Sequence, residues 1–224
     1  MKVRRLFDAF APSNYNLILK IDKDKLVFSG SVVITGLVKQ KTISLHSKNL
    51  KIKKLLVNNE ACSFQELEND ELQITTIVQP GEKVEINISF DGKITKPMHG
   101  IYPSFNKDGT TIISTQFESH HAREAFPCID EPEAKASYDL TLISRDGNAV
   151  IGNMPIKKQE AKDGKLTTEF ETTPIMSSYL LAFVIGDLQK ISGKTKNGTV
   201  VSVWSSKDHP KNNLQFALDS AIKS

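Results

Sequence analysis

Between residues 15 and 21 apolar and polar side chains alternate. Tyr15, Leu17, Leu19 and Ile21 fall on one face, with Asn16, Ile18 and Lys20 between them. A period of two sends successive side chains to opposite faces of a strand, so the segment predicts a strand with one face in a core. Residues 26–37 continue the pattern with Phe28, Val32 and Ile34 in phase, and Gly30 and Gly36 mark places for a bulge or bend. Further strands are predicted at 42–46, 50–57, 72–77, 84–90, 110–115, 137–143, 149–153, 166–171 and 200–204. The alternation is cleanest at 84–90, where Val84, Ile86, Ile88 and Phe90 oppose Glu85, Asn87 and Ser89. Pro80-Gly81 predicts a tight turn that pairs 72–77 with 84–90 as a hairpin. The longest apolar run, 174–187, reads as a buried strand, and Tyr179 and Trp204 read as core.

Only past residue 208 does the period change. Leu214, Ala217, Leu218, Ala221 and Ile222 share one helical face, and Pro210 suits a helix N-terminus. Short strands with turn chemistry between them predict an all-β fold, a sandwich or several packed sheets, with one terminal helix. The sequence stops inside that helix without a capping signal, so a following segment is expected.

Composition narrows the partners. Of the 224 residues, 39% are hydrophobic and 25% charged, which suits a folded domain. No apolar run approaches the roughly 20 residues of a membrane span, so no membrane partner is expected. The net charge of +3 comes from lysines interleaved with apolar and acidic residues, which argues against nucleic acid. The first ten residues have no apolar segment behind their arginines and do not read as a secretory signal. Cys62 and Cys128 are far apart; the pair leaves room for one bridge, but two free thiols in a cytoplasmic protein are expected.

Residues 116–136 stand out: Gln116-Phe117-Glu118-Ser119-His120-His121-Ala122-Arg123-Glu124-Ala125-Phe126-Pro127-Cys128-Ile129-Asp130-Glu131-Pro132-Glu133-Ala134-Lys135-Ala136. Charge, histidine, proline and cysteine crowd a loop between two strands, a common place for function. Arg123 with Asp130 and Glu131 predicts an ion-pair cluster that staples the loop, and Pro127 and Pro132 stiffen it. Cys128, between Pro127 and Ile129, predicts a buried, inert thiol. His120 and His121 are neighbours on an extended segment and point apart, and no spaced third histidine is evident, so no shared ion is expected.

Gln-Phe-Glu, then Ala-Arg, Phe-Pro-Cys, Asp-Glu-Pro and Lys-Ala in this stretch resemble a signature of the aminopeptidase N family of zinc metallopeptidases, whose relatives include the leukotriene-A hydrolase type. Other segments extend the resemblance from about residue 12 to the end: Pro12 to Leu17, Phe28 to Val32, Leu45-His46-Ser47, Gly100-Ile101-Tyr102, and Pro174 to Ser177 leading to Gly186-Asp187. The resemblance implies a saddle-shaped N-terminal domain of several packed, mostly antiparallel sheets over 1–207. It also implies that 208–224 opens a thermolysin-like catalytic domain.

On position alone Glu118 reads as a solvated loop carboxylate and Gln116 as a strand-end amide. The resemblance implies more. Glu118 would bind the free α-ammonium of a peptide substrate, and Gln116 would line the pocket for the first side chain. In an extended segment the two point to the same side. The Glu118–Ser119 peptide would be cis. An acidic residue at 118, where the leukotriene-hydrolase type has an amide, leans toward plain aminopeptidase activity. The family's catalytic zinc needs His-Glu-x-x-His on a helix and a further downstream glutamate. Here His46, His99, His120, His121 and His209 are none of them followed by Glu, and Gly-x-Met-Glu-Asn is absent. The expectation is therefore a substrate-anchoring domain, inactive alone and with no metal of its own. Its zinc and catalytic domain would belong to a longer parent. The alternative is a non-catalytic binding or scaffolding module of the same architecture.

Overall fold

A computed structural model describes residues 4–223. It contains seventeen strands: β1 (Phe10–Asp22), β2 (Val27–Val38), β3 (Ile43–His46), β4 (Lys51–Val57), β5 (Glu60–Ala61), β6 (Phe64–Leu67), β7 (Glu71–Ile74), β8 (Lys83–Lys93), β9 (Gly100–Phe105), β10 (Thr111–Gln116), β11 (Ser137–Arg145), β12 (Ala149–Gly152), β13 (Ile156–Lys162), β14 (Lys165–Phe170), β15 (Phe183–Gly186), β16 (Leu188–Lys194) and β17 (Val200–Ser206). One α-helix, α1 (Asn212–Lys223), follows them. The fold is all-β.

The strands form four sheets. The largest runs β13-β14-β11-β1-β2-β8-β4-β5, and the others are β12-β15-β10-β9, β3-β7-β6 and β16-β17. All pairings are antiparallel except β1 with β11, which run parallel with Tyr15 opposite Tyr138. The alternation in the sequence sets which face is buried. Tyr15, Leu17, Leu19, Val32, Ile34, Ile86, Ile88, Leu140 and Leu142 all point into one continuous core. Gly30, Gly36 and Gly92 leave room for aromatic rings. A Cβ on Gly92 would stand 2.1 Å from the ring of Phe28, and one on Gly36 2.4 Å from that of Phe10.

Several expectations need correction. Residues 72–77 and 84–90 do not form a hairpin: β7 pairs with β3 and β6, whereas β8 pairs with β2 and β4. The turn at Pro80-Gly81 is real, closed by Glu82 N–H donating to Gln79 O at 3.1 Å, but it carries the chain between sheets. The run 174–187 is not one strand. A 3-10 turn, Ser178–Leu180, interrupts it, and only β15 is laddered. Trp204 lies partly exposed with the Lys190 ammonium 5.1 Å from its ring centroid, while Tyr179 does pack on the core. On α1, Leu214 and Leu218 are buried against the β16–β17 hairpin, but Ala217 and Ala221 face solvent.

Candidate functional site

Strand β10 ends at Gln116, which pairs with Gly100 at the start of β9. Beyond it Phe117 turns into the core and is buried, while Gln116 and Glu118 on either side are exposed. The two polar side chains thus share a side of the chain, as the period of two requires. The Glu118–Ser119 peptide is cis. Among the described residues the Glu118 carboxylate has no hydrogen-bond or ion-pair partner.

From His121 to Asp130 the chain is held. His121 N–H donates to Phe117 O at 2.8 Å, closing the turn, and a 3-10 turn follows at Ala122–Glu124. Phe126 meets Phe117, Tyr15 and Tyr138 edge-on, and Tyr15 stacks on Tyr138 at 5.0 Å. Cys128 bridges to His46 by two backbone hydrogen bonds of 2.7 and 3.0 Å. Ile129 N–H donates to Tyr15 Oη at 3.0 Å. Both cysteines are free, and burial pushes the Cys128 thiol well above its ordinary value, as an inert core thiol requires.

The ionic staple differs from the one expected. Arg123 Nε donates to Asp130 Oδ2 at 3.1 Å and its second partner is Asp70, 3.7 Å away. Glu131 instead turns to the N-terminal segment. It accepts from Leu6 N–H at 2.7 Å and pairs with Arg5 at 3.7 Å. Asp130 is buried and satisfied three ways, since Ser178 Oγ donates to Oδ1 at 2.7 Å and its own N–H donates to His46 Nδ1 at 3.1 Å. Burial, and then the neighbouring Arg123 charge, pull the His46 imidazole down to about 3, so it is neutral and accepts this bond.

The histidines are where sequence reasoning missed most. His120 and His121 do not point apart; their rings stack at 4.8 Å. His99, brought in by the β9–β10 register, also stacks on His121, at 4.2 Å. Glu124 joins them, with His99 Nδ1 2.7 Å from Oε2, His121 Nδ1 3.2 Å from Oε1 and Lys48 Nζ 3.2 Å from Oε1. Burial alone would raise the Glu124 carboxyl, but hydrogen bonds from His121, His99 and Lys48 hold it below its ordinary value. The only advance signal was His99 beside Gly100, whose contact with the loop depends on pairing that no local pattern encodes.

The catalytic zinc of the resemblance does not fit these residues. No histidine is followed by glutamate, and α1, the sole α-helix among the described residues, carries no histidine. No helix there is long and apolar enough to cross a membrane.

Comparison with known proteins agrees with this architecture. Residues 11–180 match the family described as Peptidase M1 N-terminal domain. Aminopeptidase N of Lactococcus lactis subsp. lactis is 44% identical over 227 residues, which is 99% of this chain and 27% of the relative. Puromycin-sensitive aminopeptidase of Caenorhabditis elegans is 36% identical over 239 residues, 100% of this chain and 25% of the relative. Endoplasmic reticulum aminopeptidase 1 of Homo sapiens is 34% identical over 236 residues, 97% of this chain and 25% of the relative. The chain spans about a quarter of the length of these relatives.

Proposed function

The chain belongs to the peptidase M1 family, whose N-terminal domain it carries, and on that premise we propose that it anchors the substrate's N-terminus for a zinc-dependent aminopeptidase. The ion and the hydrolytic residues would be supplied outside 1–207, with 208–224 opening the catalytic domain. Glu118 accepts hydrogen bonds from the α-ammonium of a peptide, and Gln116 borders the first side chain.

The observation that carries this reading is the contrast at Glu118. It is an unpartnered carboxylate on a loop whose neighbours, Phe117 and residues 121–130, are fixed by burial or hydrogen bonds. A charge-assisted hydrogen bond from an α-ammonium to a carboxylate on a fixed backbone selects a free amine and so counts from the chain end. Once a catalytic domain covers the loop and excludes water, pairing with the ammonium strengthens. Two free cysteines suit the reducing cytoplasm, where we place the protein.

The test is substrate choice by the full-length protein. It should release an aminoacyl chromophore when the amine is free and leave the N-acetylated analogue intact. Equal cleavage of both would reject amine anchoring. Folded, zinc-loaded protein that cleaves neither would favour the scaffold reading.

A further inference from the structure

We propose that His99, His121 and Glu124 form a binding site for one divalent transition-metal ion of the zinc class. The site is separate from any catalytic zinc of the parent protein, and the proposal does not depend on the role given to Glu118. Among the described residues this is the one grouping of three potential ligands, and their ligand atoms all lie within 4.8 Å of one another. Zinc–nitrogen and zinc–oxygen bonds near 2.0–2.1 Å separate tetrahedral ligands by about 3.3 Å. The observed separations of 2.7 Å and 3.2 Å from the imidazoles to Glu124 both fall short of that value, so the side chains must rotate slightly apart to admit an ion.

The scaffold holds the three ligands. His121 and Glu124 are three apart across a 3-10 turn, where side chains at i and i+3 eclipse. His99 is fixed by its N–H bond to Pro97 O at 2.8 Å and by the pairing of Gly100 with Gln116. Gly100 has φ +64°, and a Cβ there would stand 2.8 Å from Glu124 Oε2, so its lack of a side chain lets the carboxylate approach. Entry is open: the ligands are partly exposed, and Glu124 lines a concavity of about 720 Å³ with Ile101 and Thr95.

The donor set selects the metal. Two imidazoles and one carboxylate suit zinc, cobalt or nickel, whereas magnesium and calcium prefer oxygen ligands. Three protein ligands leave a fourth position for water. An ion would cross-link the start of β9 to the turn after Glu118. Its competitor is already present, since the Lys48 ammonium lies 3.2 Å from Oε1 and its backbone N–H is tied to Arg123 O at 2.9 Å.

The test is titration of this tag-free 224-residue chain, cleared with chelator, using Co(II) and then Zn(II). Calorimetry and the visible Co(II) spectrum should report one ion per chain, with zinc displacing cobalt. His99→Ala and His121→Ala should each weaken binding at least ~10-fold, since loss of even an outer-shell partner costs that much. His120→Ala should not change it. Lys48→Met, which removes the competing charge without touching a ligand, should tighten binding by about threefold or more. Circular dichroism checks that each variant is folded. Non-saturable binding, or affinity unchanged in both ligand-histidine variants, would overturn the proposal. So would a Lys48→Met variant that binds no more tightly.

Discussion

Ser178 Oγ donates a hydrogen bond to Asp130 Oδ1 at 2.7 Å, and both residues are buried. Two stretches almost fifty residues apart in sequence thereby meet. Ser177 Oγ adds a bond to Pro132 O at 2.6 Å, and Ala136 bridges Met176. The loop that presents Glu118 is therefore fastened at its far end by the segment leading into β15.

Asp130→Ala should be the most damaging single change in the loop. It removes the carboxylate nearest the Arg123 guanidinium, whose side chain is only 12% exposed and whose other carboxylate, Asp70, is 3.7 Å away, and it leaves Ser178 Oγ without its acceptor. Breaking one side of a buried pair costs about 3–5 kcal/mol. Ser178→Ala removes one bond to a charged acceptor and should cost less, about 1.5–3 kcal/mol. Urea unfolding of the two variants checks the order.

Gly100→Ala should destabilise more than Gly109→Ala. Both glycines have positive φ, +64° and +81°, which costs an L-residue about 1–2 kcal/mol. At Gly109 nothing lies within 4 Å of the added Cβ, whereas at Gly100 it collides with a Glu124 carboxylate already held by His99, His121 and Lys48. Thermal unfolding of both variants measures the excess. Equal losses would mean that Glu124 gives way freely.

His46 makes stability depend on pH. Its folded value of about 3 lies below its ordinary 6.5. Between these values the unfolded chain takes up a proton that the folded chain refuses. Stability from this group is therefore whole above pH 6.5 and falls as pH drops toward 3, by on the order of 4–5 kcal/mol in all. His46→Gln should flatten the stability profile across that window. A profile parallel to wild type would contradict the assignment.

The strands most plainly marked by alternation in the sequence are β1, β2, β8 and β11, because burial of one face imposes it. Strand β13 left no such mark because all seven of its residues are exposed, and as a lysine-bearing sheet edge it has nothing to pack against. Strand β9 was hidden by Pro103, which it tolerates as an edge strand with β10 on one side only. The run 174–187 was misread because hydrophobicity alone does not reveal that the Ser177 and Ser178 hydroxyls bond across to Pro132 and Asp130. Gln116 and Glu118 stood out as candidates through the motif alone, since by position they read as a strand-end amide and a loop carboxylate. The His99–His121–Glu124 cluster did not stand out, because it depends on the register between β9 and β10.

The chain by itself should self-associate. Met98, Ile175 and Phe216 are large, apolar and well exposed. Mass by light scattering should rise with concentration, and Phe216→Ser should reduce the rise. A monodisperse monomer at high concentration would show that these side chains need no cover.

Substrate anchoring by Glu118 is tested most directly by steady-state kinetics of full-length protein, wild type against Glu118→Gln, on a substrate with a free amine. Losing a charge-assisted hydrogen bond worth about 1.5–3 kcal/mol should lower kcat/KM roughly 10- to 150-fold, mainly through KM, with zinc content and fold unchanged. If the variant matches wild type within a factor of ~2, the ammonium is bound elsewhere and Glu118 is an ordinary loop carboxylate.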